Sequence, residues 1–249
     1  MSVFWYEQAV ADVRVEDDWL SRNELARLVE LRVPKRREDW RLGRWTAKHA
    51  VTSLLDLPSD PSALVAIEIR PADSGAPEVF LHGSPAPVSI SLTHRDGLGA
   101  CAIAAAGTIL GCDLEVVEPR CDAFITDYFS AEEQALIMRA PDDERFRLLA
   151  LLWSAKESML KALREGLRLD PRAIEVHLSE SFAGCTSSEA DVWHPLFARS
   201  AKETLQGWWQ CSGDVVRTLI CEPVCASPPI FRAIHMGTQI PFPTLEASA

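Results

Sequence analysis

Two near-identical tetrapeptides, Trp45-Thr46-Ala47-Lys48 and Trp153-Ser154-Ala155-Lys156, stand 108 residues apart, and a similar pattern follows each. Ala66-Ile67-Glu68-Ile69 lies downstream of the first and Ala173-Ile174-Glu175-Val176 downstream of the second. Both runs read as strands. Each then passes through a turn-rich loop into further strand pattern, over 88–92 and 100–106 in one unit and 208–211 and 215–221 in the other. A chain that repeats helix, strand, loop and strand pair is predicted to fold as two similar α+β halves about a pseudo-twofold axis, with a ligand cleft between them. The predicted units are an N-terminal half over 1–107, a C-terminal half over 108–226 and a Pro-rich extension over 227–249.

The coarse map fills in around this repeat. Helices are predicted over 23–31 and 35–55, split near Pro34. A Pro/Gly loop is predicted over 71–87 and a strand within 108–117. Ser130 and Glu133 have capping-box spacing, and a long helix starts at Asp142 or Asp143 and reaches about Arg164. The stretch 178–191 reads as a polar loop, and the tail after Glu222, with five prolines, as an irregular extension. With 47% hydrophobic and 24% charged residues there is enough apolar surface for a real core. No apolar run nears the roughly 20 residues of a spanning helix, and the N-terminus lacks the basic-then-apolar order of a secretory signal. Seven cysteines, an odd number without a CxxC pair, argue against a disulfide framework or zinc ribbon. They point to a cytoplasmic protein without membrane contact.

A net charge of −11 argues against nucleic acid as a partner. The positive charge is nevertheless concentrated. Seven of the 25 basic residues fall between Arg32 and Lys48, where an even spread would put fewer than two. Arg37, Arg41, Arg44 and Lys48 share one stripe of a helix, which suits a compact polyanionic ligand.

Three further stretches could carry chemistry. In Gly111-Cys112-Asp113-Leu114-Glu115, a strand would put Asp113 and Glu115 on one face, where a hard cation would relieve their repulsion. Glu157 and Lys161 lie one helical turn apart beside Trp153. Glu157 could complete a three-carboxylate metal site or serve as general base, and Lys161 could neutralise a leaving phosphate. Thr93-His94 ends a strand-like alternation, placing a hydroxyl and an imidazole at a loop edge. No Gly-rich phosphate loop or Gly-x-Ser-x-Gly elbow is present, so a P-loop or triad hydrolase is not supported.

Taken in order, these pieces resemble the 4′-phosphopantetheinyl transferases, in particular the larger, pseudo-dimeric type that activates carrier proteins of secondary metabolism. The resemblance runs from about Arg36 to Val176. It rests on Arg36/Arg44/Lys48, Thr93-His94, Gly111-x-Asp113-x-Glu115, Phe129-Ser130-x-x-Glu133 and Trp153-Ser154-x-Lys156-Glu157-x-x-x-Lys161. It implies transfer of the phosphopantetheine arm of coenzyme A to a serine of an apo acyl or peptidyl carrier protein, with release of adenosine 3′,5′-bisphosphate. By the same resemblance Asp113, Glu115 and Glu157 would hold Mg²⁺, or Mn²⁺ in its place. Glu157 would accept the serine proton and Lys161 would stabilise the departing phosphate. Arg36, Arg44, Lys48 and His94 would grip the phosphates, with Thr93 and Lys156 nearby.

The chain departs from the family pattern at Ala76, where a lysine is frequent, at Arg95, where a serine is usual, and at Arg164, where a glycine is common. The readings from other classes are a non-catalytic coenzyme A or carrier-protein binding module and a Mg²⁺-dependent nucleotide pyrophosphatase. A monomer is expected, because the repeat supplies both walls of the cleft.

Overall fold

Pro34 opens the longest helix of the first half, at the one helical position where a missing amide hydrogen costs nothing. The computed structural model describes residues 2–178 and 192–233. In chain order the first half holds β1 (Phe4–Ala9), α1 (Arg22–Glu30), α2 (Pro34–Leu55), α3 (Pro61–Leu64), β2 (Ile67–Pro71), β3 (Pro77–Leu81), β4 (Ser84–Pro85), β5 (Val88–Arg95) and β6 (Leu98–Ala105). The second holds β7 (Ile109–Val116), α4 (Asp122–Tyr128), α5 (Ala131–Arg139), α6 (Asp142–Ala162), β8 (Glu175–Leu178), β9 (His194–Arg199), β10 (Thr204–Ser212) and β11 (Val215–Glu222). A last strand, β12 (Ile230–Ala233), follows. The architecture is α+β, as the alternating pattern predicts. The strands form sheets of order β12-β1-β6-β5, β7-β11-β10-β9-β8 and β2-β3-β4.

Strand alternation decides what each sheet buries. On β6, Cys101 and Ile103 face α2, where they join Trp45, Ala47 and Val51 in one core. Ala100, Ala102 and Ala104 point the other way and meet Leu110, Cys112 and Leu114 of β7 in a core between the halves. The opposite face of β7 carries Gly111, Asp113 and Glu115 toward α6. A Cβ at Gly111 would lie 1.9 Å from the Ser158 carbonyl oxygen, so only glycine lets α6 pack this closely. The apolar side of α6, including Leu148, Leu152 and Met159, covers the second sheet around Trp209.

The two halves repeat a buried ion pair. Ser21 and Glu24 cap α1 as a capping box, and Ser130 and Glu133 cap α5 in the same way. Glu24 then binds the Lys48 ammonium at 2.6 Å and Glu133 binds that of Lys156 at 2.8 Å. Both lysine side chains are fully buried. Lys48 also donates to the carbonyls of Trp19 (2.9 Å) and Leu64 (3.1 Å), and Lys156 to those of Pro171 (2.8 Å) and Ile174 (2.5 Å).

The structure corrects the coarse map at three places. The stretch 71–87 is not one loop, because β3 and β4 fold back on β2 as a small sheet. Residues Ile230–Ala233 of the tail form a strand parallel to β1, with Phe4 opposite Ile230. Strand β1 itself has no counterpart in the sequence map. The polar loop predicted over 178–191 lies almost wholly outside the described residues, as does the tail beyond Ala233. No helix among the described residues is long and apolar enough to cross a membrane.

One buried histidine makes stability pH-dependent. His49 packs edge-on to Trp45 with ring centroids 4.4 Å apart, and its Nε2 has no partner. Burial pushes its pKa from the usual 6.5 down to about 4. Between those values the unfolded chain binds a proton that the folded chain does not, so stability falls as pH falls from 6.5 toward 4. The expected loss is about 3 kcal/mol by pH 4. Urea unfolding of the native chain and a His49→Gln variant across this range would reveal it, as a flatter pH profile for the variant.

Candidate functional site

The two halves meet where β5 runs beside β7. Ser91 Oγ accepts from the Cys112 amide at 2.9 Å, and Thr93 Oγ1 donates to Asp113 Oδ1 at 2.8 Å. These side-chain bonds fix Asp113 at the seam. From α6, Lys161 Nζ reaches the same Oδ1 at 2.7 Å and the Cys112 carbonyl at 3.0 Å. Glu157, one turn earlier, is half-buried and makes no hydrogen bond or ion pair among the described residues. Burial is the first cause that raises its pKa, the Asp113 charge adds to it, and Lys161 opposes. Asp113 keeps its other oxygen, Oδ2, buried and without a partner.

Glu115 is held differently. Its Oε1 accepts from the Trp153 indole at 3.1 Å, while Oε2 faces Arg120 at 3.2 Å and Arg95 at 3.5 Å. Phe124 and Tyr128 pack on Trp153, at 5.1 and 4.9 Å between ring centroids. Burial and then the Asp113 charge push the Glu115 pKa up to about 7, against the pull of both arginines. Among the described residues no three His, Cys, Asp or Glu side chains are grouped to hold a metal. The expected grouping of Asp113, Glu115 and Glu157 is not seen among the described residues, where two guanidiniums face Glu115. What fits a cation here is the orphaned Asp113 Oδ2 beside the unpartnered, desolvated Glu157 carboxylate.

A cleft of about 860 Å³ opens from this seam. Its walls come from both halves: Arg36 and Arg44 on α2, Arg70 on β2, His94 on β5, and Lys161 and Arg164 at the end of α6. Arg44 lies 4.3 Å from the Trp40 ring, and burial lowers its pKa to about 10, which leaves it charged at neutral pH. His94 is exposed at the cleft wall, its Nδ1 3.9 Å from Asp39.

Two of the expected phosphate-binding residues lie elsewhere. Lys48 and Lys156 are the buried lysines of the two ion pairs, with their ammonium groups spent inside the protein. Of the predicted stripe, Arg44 alone reaches the cleft. Arg37 donates to the Leu28 carbonyl, and Arg41 to Asp17 and the Arg14 and Val15 carbonyls, so residues 14–28 cover that face of α2. Arg70 and Arg164 were not expected in the cleft. The signal for Arg164 was its place three residues after Lys161.

Residues 109–207 match the sequence profile of the 4′-phosphopantetheinyl transferase superfamily. That matched segment carries Asp113, Glu157 and Lys161. The chain is also similar to the 4′-phosphopantetheinyl transferase HetI of Nostoc sp., at 25% identity over 150 residues. That alignment covers 59% of this chain and spans 61% of the relative's length.

The transferase-family match begins at β7, so α2 with Arg36 and Arg44, and β5 with His94, lie outside it. The first half nonetheless mirrors the second. Eight residues after each tetrapeptide tryptophan stand Ser53 and Lys161. Ser53 Oγ accepts from the Tyr6 hydroxyl of β1 at 2.8 Å, in the way that Asp113 of β7 accepts from Lys161. The first half thus keeps the helix-to-strand contact in neutral form and has no charged pair at that place.

Proposed function

We propose that this protein transfers the 4′-phosphopantetheine arm of coenzyme A to a serine of an apo acyl or peptidyl carrier protein, releasing adenosine 3′,5′-bisphosphate. One observation carries the reading: Lys161, paired with Asp113 and one helical turn after the unpartnered Glu157, lines a cationic cleft between the halves. The superfamily match over this same segment supports it.

The chemistry asked of the residues is mostly positioning. Arg36, Arg44 and His94 would hold the nucleotide phosphates on the first-half wall. The serine oxygen attacks the phosphorus bearing the pantetheine arm, and the bond to the bridging oxygen of the diphosphate breaks. The Glu157 carboxylate, whose affinity for a proton burial raises, takes the serine proton. Lys161, held in place by Asp113 and the Cys112 carbonyl, stabilises the charge that develops on the departing phosphate. A divalent cation, Mg²⁺ or Mn²⁺, would be held by Asp113 and Glu157 and would draw charge off the diphosphate. Glu115 would join them by exchanging Arg120 and Arg95 for the cation. The chain would act as a monomer in a reducing cytoplasm.

The test is direct. Incubation with coenzyme A, Mg²⁺ and a panel of apo carrier proteins should add about 340 Da to at least one of them, and excess EDTA should abolish the gain. Hydrolysis of coenzyme A without carrier modification would instead mark a pyrophosphatase. Binding of coenzyme A with neither reaction would mark a non-catalytic module.

A further inference from the structure

Helix α6 ends in a complete Schellman motif. The Arg164 amide donates to the Lys161 carbonyl at 3.0 Å, and the Glu165 amide to that of Leu160 at 3.1 Å. This motif puts its C′ residue in the left-handed region, where glycine is the usual occupant. Here that residue is Arg164, with φ of 56°. Of the four non-glycine residues at positive φ among the described residues, the other three are Asp56, His82 and Asp96. Aspartate and histidine are tolerated there, whereas a long side chain gains nothing locally and stores strain.

The side chain makes no ion pair among the described residues. It is exposed and lines the cleft, one turn beyond Lys161. Next to it, Arg168 Nη1 reaches the Ser74 carbonyl at 3.4 Å and ties the segment after α6 to the β2–β3 turn. Arg36, Arg44, Arg70, Lys161 and Arg164 share the cleft with only two acids, Asp39 and Glu78. A strained arginine, unpaired and turned into a cationic cleft, is explained by an anion that it binds.

We infer that Arg164 is a ligand-contacting residue that, beside Lys161, selects ligands carrying a diphosphate. The inference rests on the proposed reading for the identity of that ligand, coenzyme A. Its planar fork suits two oxygens of one phosphate group, which a glycine cannot offer.

Calorimetric titrations at one ionic strength separate the possibilities, with coenzyme A, ADP and AMP as probes. Arg164→Gly should bind coenzyme A and ADP about tenfold more weakly and AMP nearly as before. Its melting temperature should be unchanged or about 2 °C higher, since glycine relieves the strained backbone. Arg164→Lys should fall between the two. Unaltered ADP and coenzyme A binding by Arg164→Gly overturns the inference, as does weaker binding accompanied by a lower melting temperature. Wild-type protein that ignores coenzyme A but binds ADP through Arg164 would overturn the proposed reaction and leave this inference standing. Binding of neither probe overturns both.

Discussion

Replacing Glu157 with glutamine should lower the rate of phosphopantetheine transfer about a thousandfold, the scale of a lost general base, and leave the fold intact. The Glu157 carboxylate makes no hydrogen bond or ion pair among the described residues, so its amide analogue breaks nothing. Burial, with the Asp113 charge and against the pull of Lys161, shifts the carboxylate toward the neutral acid. A neutral amide removes that cost, and the melting temperature should hold or rise. Single-turnover transfer measured with saturating coenzyme A, together with a thermal melt, reads both quantities. Transfer within a factor of ten of wild type would remove Glu157 from the chemistry.

The opposite pattern is expected of Lys156→Ala. This change should cost about 3–5 kcal/mol of stability, because it strands the buried Glu133 carboxylate and two carbonyls without their cation. In a chain of this size that is a fall of roughly 10 °C in melting temperature. Coenzyme A affinity measured at low temperature, where the variant is still folded, should stay near that of the wild type. A variant as stable as wild type with weakened coenzyme A binding would return Lys156 to the ligand. The double variant Lys156→Met with Glu133→Leu should recover much of the loss, since it removes both charges together.

These two residues also show how far the amino-acid pattern reaches. The tetrapeptide repeat, the long helices and the Gly111-x-Asp113 strand are local, and periodicity alone makes them readable. The lysines of the tetrapeptides were misassigned for a nonlocal reason. Helical spacing tells which residues share a face of α2, but not that residues 14–28 fold back to cover that face. The capping-box glutamate that claims Lys156 was visible at Ser130-x-x-Glu133, and its twin at Ser21-x-x-Glu24 completes the repeat. The sequence pattern around Glu115 does not show that Arg95, at the end of β5, and Arg120 reach its carboxylate. Gly111 could be recognised as a motif residue, yet its reason, the backbone of α6 packed directly on β7, exists only in three dimensions.

The pairing of Ile230–Ala233 with Phe4–Glu7 ties a strand after β11 to the first strand of the first half. Severing the gene product at the midpoint would therefore not yield two independent modules. The leading fragment would be left with β1 as a bare margin, its amides and carbonyls free to recruit a neighbouring molecule. The trailing fragment would lose the Glu7 carboxylate that clasps Arg217 at 2.5 Å. Fusion partners and purification handles are thus better attached with a spacer beyond Ala233 than in place of this closing ribbon.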